Sequence, residues 1–314
     1  MSTATRNKTT PLAQSIRGQH ITGRAWSVDG AYQYCEGLAR SHYENFPVGS
    51  FLVPRPLRRH FYSIYSFART ADDFADEGCA EGYSERDRLD LLEEWRGMLV
   101  RAFNGHATHP VFIALSHTQA QFGLPITPFE DLLSAFMQDV TVRRYQSFEG
   151  LLDYCRRSAN PVGRLILLLF GYRDERLHSW SDDICTGLQL ANHWQDVAID
   201  LAKDRIYIPA EDLARFGLSF DDLGGGRPGE RFKDLMRFEV ARARELFARG
   251  KPLCVSVGGR LGVELRAVWL GGARILDLIE RNGYDVFARR PVITSADKLR
   301  ILSLASRKGA FQRH

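Results

Sequence analysis

The chain has 314 residues, of which 44% are hydrophobic and 25% are charged. This composition is typical of a folded globular protein and excludes a disordered or collagen-like chain. The longest apolar stretch, around residues 165–170, is far shorter than the roughly 18 to 20 residues of a membrane-spanning helix. The 42 Lys and Arg residues exceed the 38 Asp and Glu residues by four, and this excess lies within the first 28 residues. The rest of the chain therefore has no basic field, and we expect no nucleic-acid partner.

The first 25 residues are rich in Ser, Thr, Asn and Gln and contain no apolar signal region. We interpret residues 1–25 as a mobile tail, with an organelle transit peptide as the alternative. The five cysteines are scattered and form no CxxC pair. They indicate a reducing compartment and a cytoplasmic protein.

Helix start and stop signals recur along residues 26–314. Ser84 and the capping-box sequence from Thr127 to Glu130 mark two helix starts. Apolar residues at helical spacing predict helices over 30–41, 56–76, 84–105, 109–122, 127–140, 147–170, 181–202, 230–250, 259–282 and 295–306. The segment from Arg205 to Pro209 is the only strand candidate. We predict an all-α fold with a single catalytic domain over residues 26–314.

A glycine-rich stretch from Gly224 to Gly229 satisfies G-x-G-x-x-G. A dinucleotide fingerprint also needs a strand before it and a helix immediately after it. Here Asp221 and Asp222 precede the stretch, and Pro228 lies inside it. We interpret it as a mobile loop between helices, and we expect no nicotinamide or flavin cofactor.

The first of two acidic motifs ends the helix predicted over residues 56–76. Asp72 and Asp76 are four residues apart and share a helix face, and Asp73 and Glu77 form a second such pair. Like charges at this spacing repel unless a cation lies between them. By itself this motif is equally consistent with a solvated acidic helix end.

A second acidic motif makes a metal site the better interpretation. Asn192, Asp196 and Asp200 follow at successive four-residue steps and form one stripe of oxygen ligands on an otherwise apolar helix. Such hard ligands favour Mg²⁺ over Zn²⁺, and Mg²⁺ bound by few carboxylates usually takes phosphate oxygens from its substrate. His193 lies beside the stripe, and we expect it to pack or hydrogen-bond rather than to ligate.

Basic residues accompany both motifs. Arg69 precedes Asp72, whereas Lys203, Arg205 and Tyr207 follow Asp200. At any single position an ordinary salt bridge would be the simpler interpretation. Two acidic stripes with basic neighbours together indicate a site that holds a metal and a diphosphate.

At these residues the chain resembles the squalene and phytoene synthase family. The resemblance runs from about Ser41 to Leu302. Its marks are Ile64 to Glu77, Tyr145 ahead of Cys155, Val162–Gly163, Gln189 to Pro209, and Asp285 to Pro291. It implies an all-α isoprenoid synthase fold with a central cavity, in which Mg²⁺ holds a prenyl diphosphate between the two acidic helices.

Three departures from the family pattern point to one branch of the family. Gln195 stands where most members carry an arginine, Glu44–Asn45–Phe46 replaces a Lys-Ser-Phe sequence, and Ser158 to Gly163 varies the motif Ala-Gly-x-Val-Gly. Together they resemble hydroxysqualene synthases of bacterial hopanoid and squalene biosynthesis. That branch converts presqualene diphosphate to hydroxysqualene, with water quenching the carbocation. Asp204 replaces the family's usual Gly or Asn, which could weaken anion binding.

The residues expected to act divide by role. The metal ligands are Asp72, Asp76, Asn192, Asp196 and Asp200. Residues expected to contact the substrate are Arg69, Lys203, Arg205, Tyr207, Gln189, Tyr65, Asn45 and Phe46. The candidates for lining a carbocation cavity are Phe46, Phe51, Tyr65, Phe136 and Tyr145, although core packing is the simpler interpretation of each one taken alone. Either Asn160 or Glu44 with Asn45 positions the quenching water; alternatively, Asn160 satisfies a carbonyl freed by a helix kink at Pro161.

Other functions remain open. The chain could be a condensing enzyme that makes presqualene diphosphate, squalene or phytoene, and Gln195 is the residue that argues against this. It could be an inactive family member serving as a binding partner, although both acidic motifs are intact. A flavin-dependent reductase of hydroxysqualene would act downstream. The apolar substrate favours peripheral contact with the inner membrane, but no basic amphipathic stripe commits the sequence to it.

Overall fold

The computed structural model describes residues 26–41, 53–76, 82–225 and 229–313. Within these ranges the chain forms fourteen α-helices and one short 3₁₀ helix. The helices are α1 Val28–Ser41, α2 Arg55–Asp76, α3 Glu85–Phe103, α4 Pro110–Phe122, α5 Thr127–Thr141, α6 Phe148–Ser158, α7 Asn160–Leu169, α8 Glu175–Gln195, α9 Val197–Ala202, α10 Ala210–Arg215, α11 Glu230–Ser256, α12 Gly259–Arg281, α13 Ser295–Ser306 and α14 Lys308–Arg313. The 3₁₀ helix is Asp221–Gly225. The predicted all-α fold is confirmed.

Contacts within the chain divide it into two compact units, one containing α1 to α5 and the other α6 to α14. In the first unit, α2 packs against α1, α3, α4 and α5. Its core is an aromatic cluster in which Phe67 and Phe74 contact Trp95, and Trp95 in turn contacts Phe112. All four side chains are fully buried. Burial of such large rings is the main stabilising term for this unit.

In the second unit, α8 packs against α7, α11 and α12. Glycines allow these helices to approach closely. A Cβ atom on Gly250 would lie 2.7 Å from the carbonyl oxygen of Trp180, and one on Gly272 would lie 2.3 Å from Cζ of Phe247. Any larger residue at these positions would therefore push the helices apart. Helix α8, which carries the second acidic motif, is thus held in a tightly packed environment.

Several boundaries differ from the sequence expectation. The helix predicted over 147–170 is interrupted at Ala159, because Pro161 lacks the N–H that a continuous helix would require. The helix predicted over 181–202 begins earlier, at Glu175, and is interrupted at Asp196. By contrast, α3 begins where it was predicted, after Ser84, and Ser84 and Asp87 form an N-terminal capping box there that the sequence analysis did not predict.

The strand expected from Arg205 to Pro209 is absent from the described residues. Ile206 instead makes one isolated β-bridge with Arg144, and its N–H donates to the carbonyl oxygen of Arg143 at 2.9 Å. The glycine-rich stretch begins within a 3₁₀ helix and is not preceded by a strand, so the structure does not support a dinucleotide-binding motif there. Gly226 to Pro228 lie outside the described residues. None of the described helices is long and apolar enough to cross a bilayer.

Candidate active site: two acidic motifs

The first motif occupies the last two turns of α2. Arg69 contacts two of its carboxylates: Nη1 lies 2.9 Å from Oδ2 of Asp72, and Nη2 lies 2.5 Å from Oδ1 of Asp73. Asp76, the last residue of α2, is exposed. Asp72 and Asp76 were both expected to ligate metal, and their carboxylates are accessible to solvent.

The position of this motif is electrostatically unfavourable. A helix C-terminus carries a partial negative charge, and three aspartates there add to it. Two buried or half-buried arginines offset part of this charge: Arg69, and Arg88 of α3, whose Nη1 donates to the carbonyl oxygen of Ala75 at 2.5 Å. Phe74, which lies between Asp73 and Asp76 in the sequence, is fully buried, and its burial stabilises this helix end despite the unfavourable charges. The arrangement leaves a region that a further cation would stabilise.

Tyr65 lies one turn before Arg69 on α2 and is half-buried. Burial raises the pKa of the Tyr65 hydroxyl, and the nearby charge of Arg69 opposes this shift. The phenol is therefore neutral at physiological pH. It can offer a hydrogen bond and a ring face beside the acidic motif, as a substrate-contacting residue should.

The second motif lies where α8 ends and α9 begins. Asp196 is not helical, yet its N–H donates to the carbonyl oxygen of Asn192 and its own carbonyl accepts from the N–H of Asp200, both at 2.9 Å. The four-residue spacing of the predicted stripe is therefore kept across the interruption. Asn192 is exposed, whereas Asp196 and Asp200 are half-buried.

An aromatic stack lies against this motif. The rings of His193 and Tyr207 are nearly parallel with centroids 3.6 Å apart, and the ring of Tyr145 stacks at 5.7 Å from that of Tyr207. Nε2 of His193 lies 3.3 Å from the side-chain nitrogen of Gln189. Burial lowers the pKa of His193 to about 3, so the ring is neutral. His193 packs and hydrogen-bonds, as the sequence predicted.

The expected basic residues have different environments. Lys203 is exposed just after α9, whereas Arg205 is half-buried and lines a small cavity with Asp200, His193 and Tyr207. The N–H of Arg205 donates to the carbonyl oxygen of Asp200 at 2.8 Å. Arg205, Asp200 and Tyr207 are thus brought together as expected.

Asp204, which was expected to weaken anion binding, forms a salt bridge with Arg144. Its carboxylate lies 2.6 Å from Nη2 of Arg144, and its backbone has a positive φ of 58°. The pair is largely exposed and cancels one positive charge near the motif.

Sequence reasoning missed Arg290. Its guanidinium contacts both carboxylate oxygens of Asp196, with Nε 2.5 Å from Oδ1 and Nη2 3.1 Å from Oδ2. The only signal was the segment from Asp285 to Pro291, which the family resemblance included without assigning a role. The neighbouring Gln195 is buried, and its side-chain nitrogen donates to the carbonyl oxygen of Pro291.

Asn160 is the first residue of α7, not a residue in the middle of a helix as the sequence suggested. Its side-chain oxygen accepts a hydrogen bond from Oγ1 of Thr186 on α8 at 2.9 Å, in a buried position. This contact joins the helix interruption to the helix that carries the second motif. Whether Asn160 positions water stays a prediction.

Some expected residues cannot be placed. Glu44, Asn45, Phe46, Phe51 and Glu77 lie outside the described residues. Of the remaining cavity candidates, Phe136 and Tyr65 are half-buried and Tyr145 is buried.

The donor chemistry of both motifs fits Mg²⁺. Each offers partly exposed carboxylate or amide oxygens at four-residue spacing, and Mg²⁺ is bound by few such oxygens with water completing its shell. In the ranges that the structure describes, no group of three or more His, Cys, Asp or Glu side chains is arranged to hold a metal. The complete ligand set expected from the sequence therefore stays a prediction.

Helices bearing two aspartate motifs with basic and aromatic neighbours define the isoprenoid synthase class, and comparison with known proteins agrees. The family model described as squalene/phytoene synthase matches residues 39–297. The chain belongs to the squalene/phytoene synthase family. Members of this family act on prenyl diphosphates with the help of a divalent metal.

Individual relatives differ in reaction. The crystal structure of squalene synthase HpnC from Alicyclobacillus acidocaldarius is 44% identical, with a TM-score of 0.78 over 82% of this chain and 96% of that one. A hydroxysqualene synthase of Rhodopseudomonas palustris is 34% identical over 76% of this chain and 80% of its own length. A phytoene synthase of Arthrospira platensis is 32% identical over 88% and 92%. The similarity establishes the family and its fold but does not separate these reactions.

Proposed function

We propose that this chain converts presqualene diphosphate and water to hydroxysqualene and diphosphate. The bond between the substrate carbon and the diphosphate oxygen breaks, the carbocation rearranges, and a water oxygen bonds to it and releases a proton. The observation that carries the proposal is Gln195, a neutral and buried residue directly before Asp196, whose side-chain amide donates to the carbonyl oxygen of Pro291. The resemblance to the hydroxysqualene synthase of Rhodopseudomonas palustris, 34% identical over 76% of this chain, supports it.

The acidic residues would hold the diphosphate end of the substrate. Mg²⁺, when bound, supplies Lewis-acid stabilisation of the departing diphosphate. Within the first motif Asp72 and Asp76 would be metal ligands, and within the second motif Asn192, Asp196 and Asp200 would be. Arg69, Lys203, Arg205 and Tyr207 would donate charge-assisted hydrogen bonds to diphosphate oxygens, which is where negative charge accumulates as the bond breaks.

Aromatic residues would stabilise the positive charge left on carbon. Tyr207 and Tyr145 present stacked rings next to the motif, and ring faces attract a cation. His193 is uncharged because burial lowers its pKa to about 3, so it does not repel the carbocation. Gln189 holds the ring of His193 in position.

Asn160 would position the quenching water. Its oxygen is held by Thr186, which orients the amide nitrogen of the same side chain. Replacing Asn160 with Leu should abolish the alcohol but spare diphosphate release. The matched variant Thr186→Val removes only the orienting hydrogen bond and should lower the proportion of alcohol less. Unchanged products in Asn160→Leu would contradict this role.

Product analysis tests the reaction. The purified chain is given Mg²⁺ and no reductant, and farnesyl diphosphate and presqualene diphosphate are offered separately. We expect hydroxysqualene from presqualene diphosphate only. Product from farnesyl diphosphate would instead assign a condensing synthase, an alternative that the Arthrospira platensis relative supports. Turnover of neither substrate would favour an inactive family member that acts as a binding partner.

Two partners follow from this reaction. Hydroxysqualene still carries a hydroxyl group, so a reductase, expected to be flavin-dependent, would act next. The apolar product favours contact with an anionic membrane surface. Helix α13 supports this, because Leu299 and Leu302 are exposed on it, and Leu299 is flanked by exposed Lys298 and Arg300. Apolar side chains flanked by cations suit a bilayer interface with anionic headgroups.

Liposome co-sedimentation tests the membrane contact. We expect the chain to bind vesicles containing about one third phosphatidylglycerol and to release them at high salt, since basic residues near an anionic bilayer contribute about 1 kcal/mol each. Leu299→Ser should weaken binding, whereas Ser303→Ala on the same helix should not. Equal binding to neutral vesicles, or no effect of Leu299→Ser, would refute it.

A further inference from the structure

Asp196 of the second motif is held by an arginine from a distant part of the chain. Both of its oxygens contact the guanidinium of Arg290. The Asp196 side chain is only 14% exposed, whereas that of Arg290 is 45% exposed. An ion pair with two contacts and one shielded partner is stronger than an ordinary surface pair. An arginine side chain is not deprotonated in proteins, so Arg290 keeps a positive charge beside Asp196.

The backbone around Arg290 is fixed by several contacts. Gln195 donates to the carbonyl oxygen of Pro291, so residues 195–196 and 290–291 are joined at two adjacent points. Upstream, the carboxylate of Asp285 accepts from the N–H groups of Phe287 and Ala288 at 3.1 and 2.9 Å. Arg290 is therefore held at Asp196 by the fold. Its side chain can leave while the backbone stays in place, because nearly half of it is exposed.

These contacts have a consequence for metal binding. A divalent cation that approaches an oxygen of Asp196 meets a guanidinium nitrogen of Arg290 there, since each oxygen carries one guanidinium contact, and the two positive charges repel each other. We propose that Arg290 is the internal counter-ion of the second acidic motif, and that it competes with the divalent metal for Asp196. Arg290 thereby keeps the motif neutralised when metal is absent and lowers the affinity for metal without substrate. This inference rests on the proposed function for the identity of the metal ligands.

Metal titration tests the inference without substrate. The full chain is titrated with Mn²⁺, a paramagnetic substitute for Mg²⁺, and free Mn²⁺ is followed by electron paramagnetic resonance. Arg290→Gln should bind Mn²⁺ about tenfold more tightly, because a charge-assisted contact of roughly 1.5 kcal/mol no longer has to be broken. Arg290→Lys keeps the charge but makes one contact instead of two, so it should show a smaller increase.

A neighbouring arginine provides the matched control. Arg289→Gln removes the same charge one residue away, from an exposed side chain, and should leave Mn²⁺ affinity unchanged. In the Asp196→Asn background, Arg290→Gln should no longer alter affinity, since the contact is already lost. Unchanged or weaker binding in Arg290→Gln would overturn the proposal, and so would an equal effect of Arg289→Gln, which would indicate only a general electrostatic field.

The Mn²⁺ titration can contradict the role of Arg290 without contradicting the proposed reaction, and the product analysis can do the reverse. Mn²⁺ binding requires no prenyl diphosphate, so a chain that makes phytoene or has no activity could still show the effect of Arg290→Gln. Conversely, hydroxysqualene formation with unchanged Mn²⁺ affinity would leave the proposed reaction intact and remove the role of Arg290.

Discussion

The two acidic motifs are alike in sequence but are built differently. The first lies within one uninterrupted helix, and its cation, Arg69, comes from the same helix three and four residues away. The second lies at an interruption between α8 and α9, and its cation, Arg290, comes from 94 residues further along the chain. Local charge pairs can be read from helical spacing. A pair that depends on the path of the chain cannot.

This difference also predicts how each motif responds to change. The Arg69 contacts are divided between Asp72 and Asp73, so loss of one carboxylate leaves the arginine with another. The Arg290 contacts go to Asp196 alone among the salt bridges found in the described chain. The second motif is thus more sensitive to a single substitution.

Loss of a metal ligand should have the largest effect. Asp72→Asn and Asp196→Asn should each lower turnover about 10³-fold, because a bound metal contributes several kcal/mol to stabilising the departing charge. Steady-state kinetics with presqualene diphosphate would measure this. Asp90→Asn, on the exposed side of α3, is the control and should have no effect. Retained activity in Asp72→Asn would show that only the second motif binds metal.

Each motif has a buried tryptophan close to it, and the two tryptophans differ in whether the ring nitrogen donates a hydrogen bond. Trp95 and Trp194 are both fully buried, so either change to Ala should cost about 3 to 5 kcal/mol of unfolding free energy, measured in urea. Nε1 of Trp95 donates to the carbonyl oxygen of Phe67 at 3.3 Å, whereas Nε1 of Trp194 has no hydrogen-bond partner within the described part.

Substituting Phe for each tryptophan keeps most of the ring packing and isolates the contribution of the ring nitrogen to stability. Trp95→Phe should destabilise the protein about 1 kcal/mol more than Trp194→Phe, because the former removes a hydrogen bond whereas the latter removes a buried donor that has no partner. Equal losses would mean that ring packing, rather than the donor, decides the cost in both regions.

Close packing of α8 against α11 should make Gly250 intolerant of substitution. Gly250→Ala should destabilise by about 1 to 3 kcal/mol, since its Cβ would lie 2.7 Å from a backbone oxygen that cannot move freely. Gly37→Ala in α1 is the control. Nothing lies within 4 Å of its added Cβ, and higher helix propensity should stabilise the protein by up to about 1 kcal/mol. Thermal unfolding of both variants measures the difference.

The smallest expected effect is a pH dependence in the second unit. Glu239 is fully buried, and Nη1 of Arg242 lies 3.4 Å from its carboxylate but 2.7 Å from that of Asp212. Arg242 therefore neutralises Asp212, and burial raises the pKa of Glu239 to about 8. The folded state binds a proton that the unfolded state releases above its ordinary pKa near 4.5.

Because the folded state holds the Glu239 proton more tightly, stability should fall as the pH rises. Stability contributed by the protonated Glu239 is fully present below about pH 4.5 and is lost as the pH rises to about 8. Between pH 7 and 8 the melting temperature should fall in the wild type and fall less in Glu239→Gln, which imitates the protonated acid. The same slope in both proteins would show that Glu239 is ionised in the folded state.

The sequence by itself determined the helices, the spacing of both motifs and the family. Helical periodicity and capping residues such as Ser84 are local signals, and so is the four-residue step that places Asn192, Asp196 and Asp200 on one stripe. Of the two helix interruptions, at Ala159 and at Asp196, the sequence predicts only one. Pro161 indicates the interruption at Ala159, because proline lacks the N–H that a continuous helix needs. No residue near Asp196 gives a comparable signal.

Tertiary structure alone decided which charge meets Asp196. Arg290 and Gln195 acquire their partners because the segment after α12 returns to the end of α8, and no spacing rule connects residues 94 positions apart. The same holds for the hydrogen bond from Thr186 to Asn160. Local sequence fixes the backbone hydrogen bonds of a helix, but the partner of a buried polar side chain depends on which helices pack together.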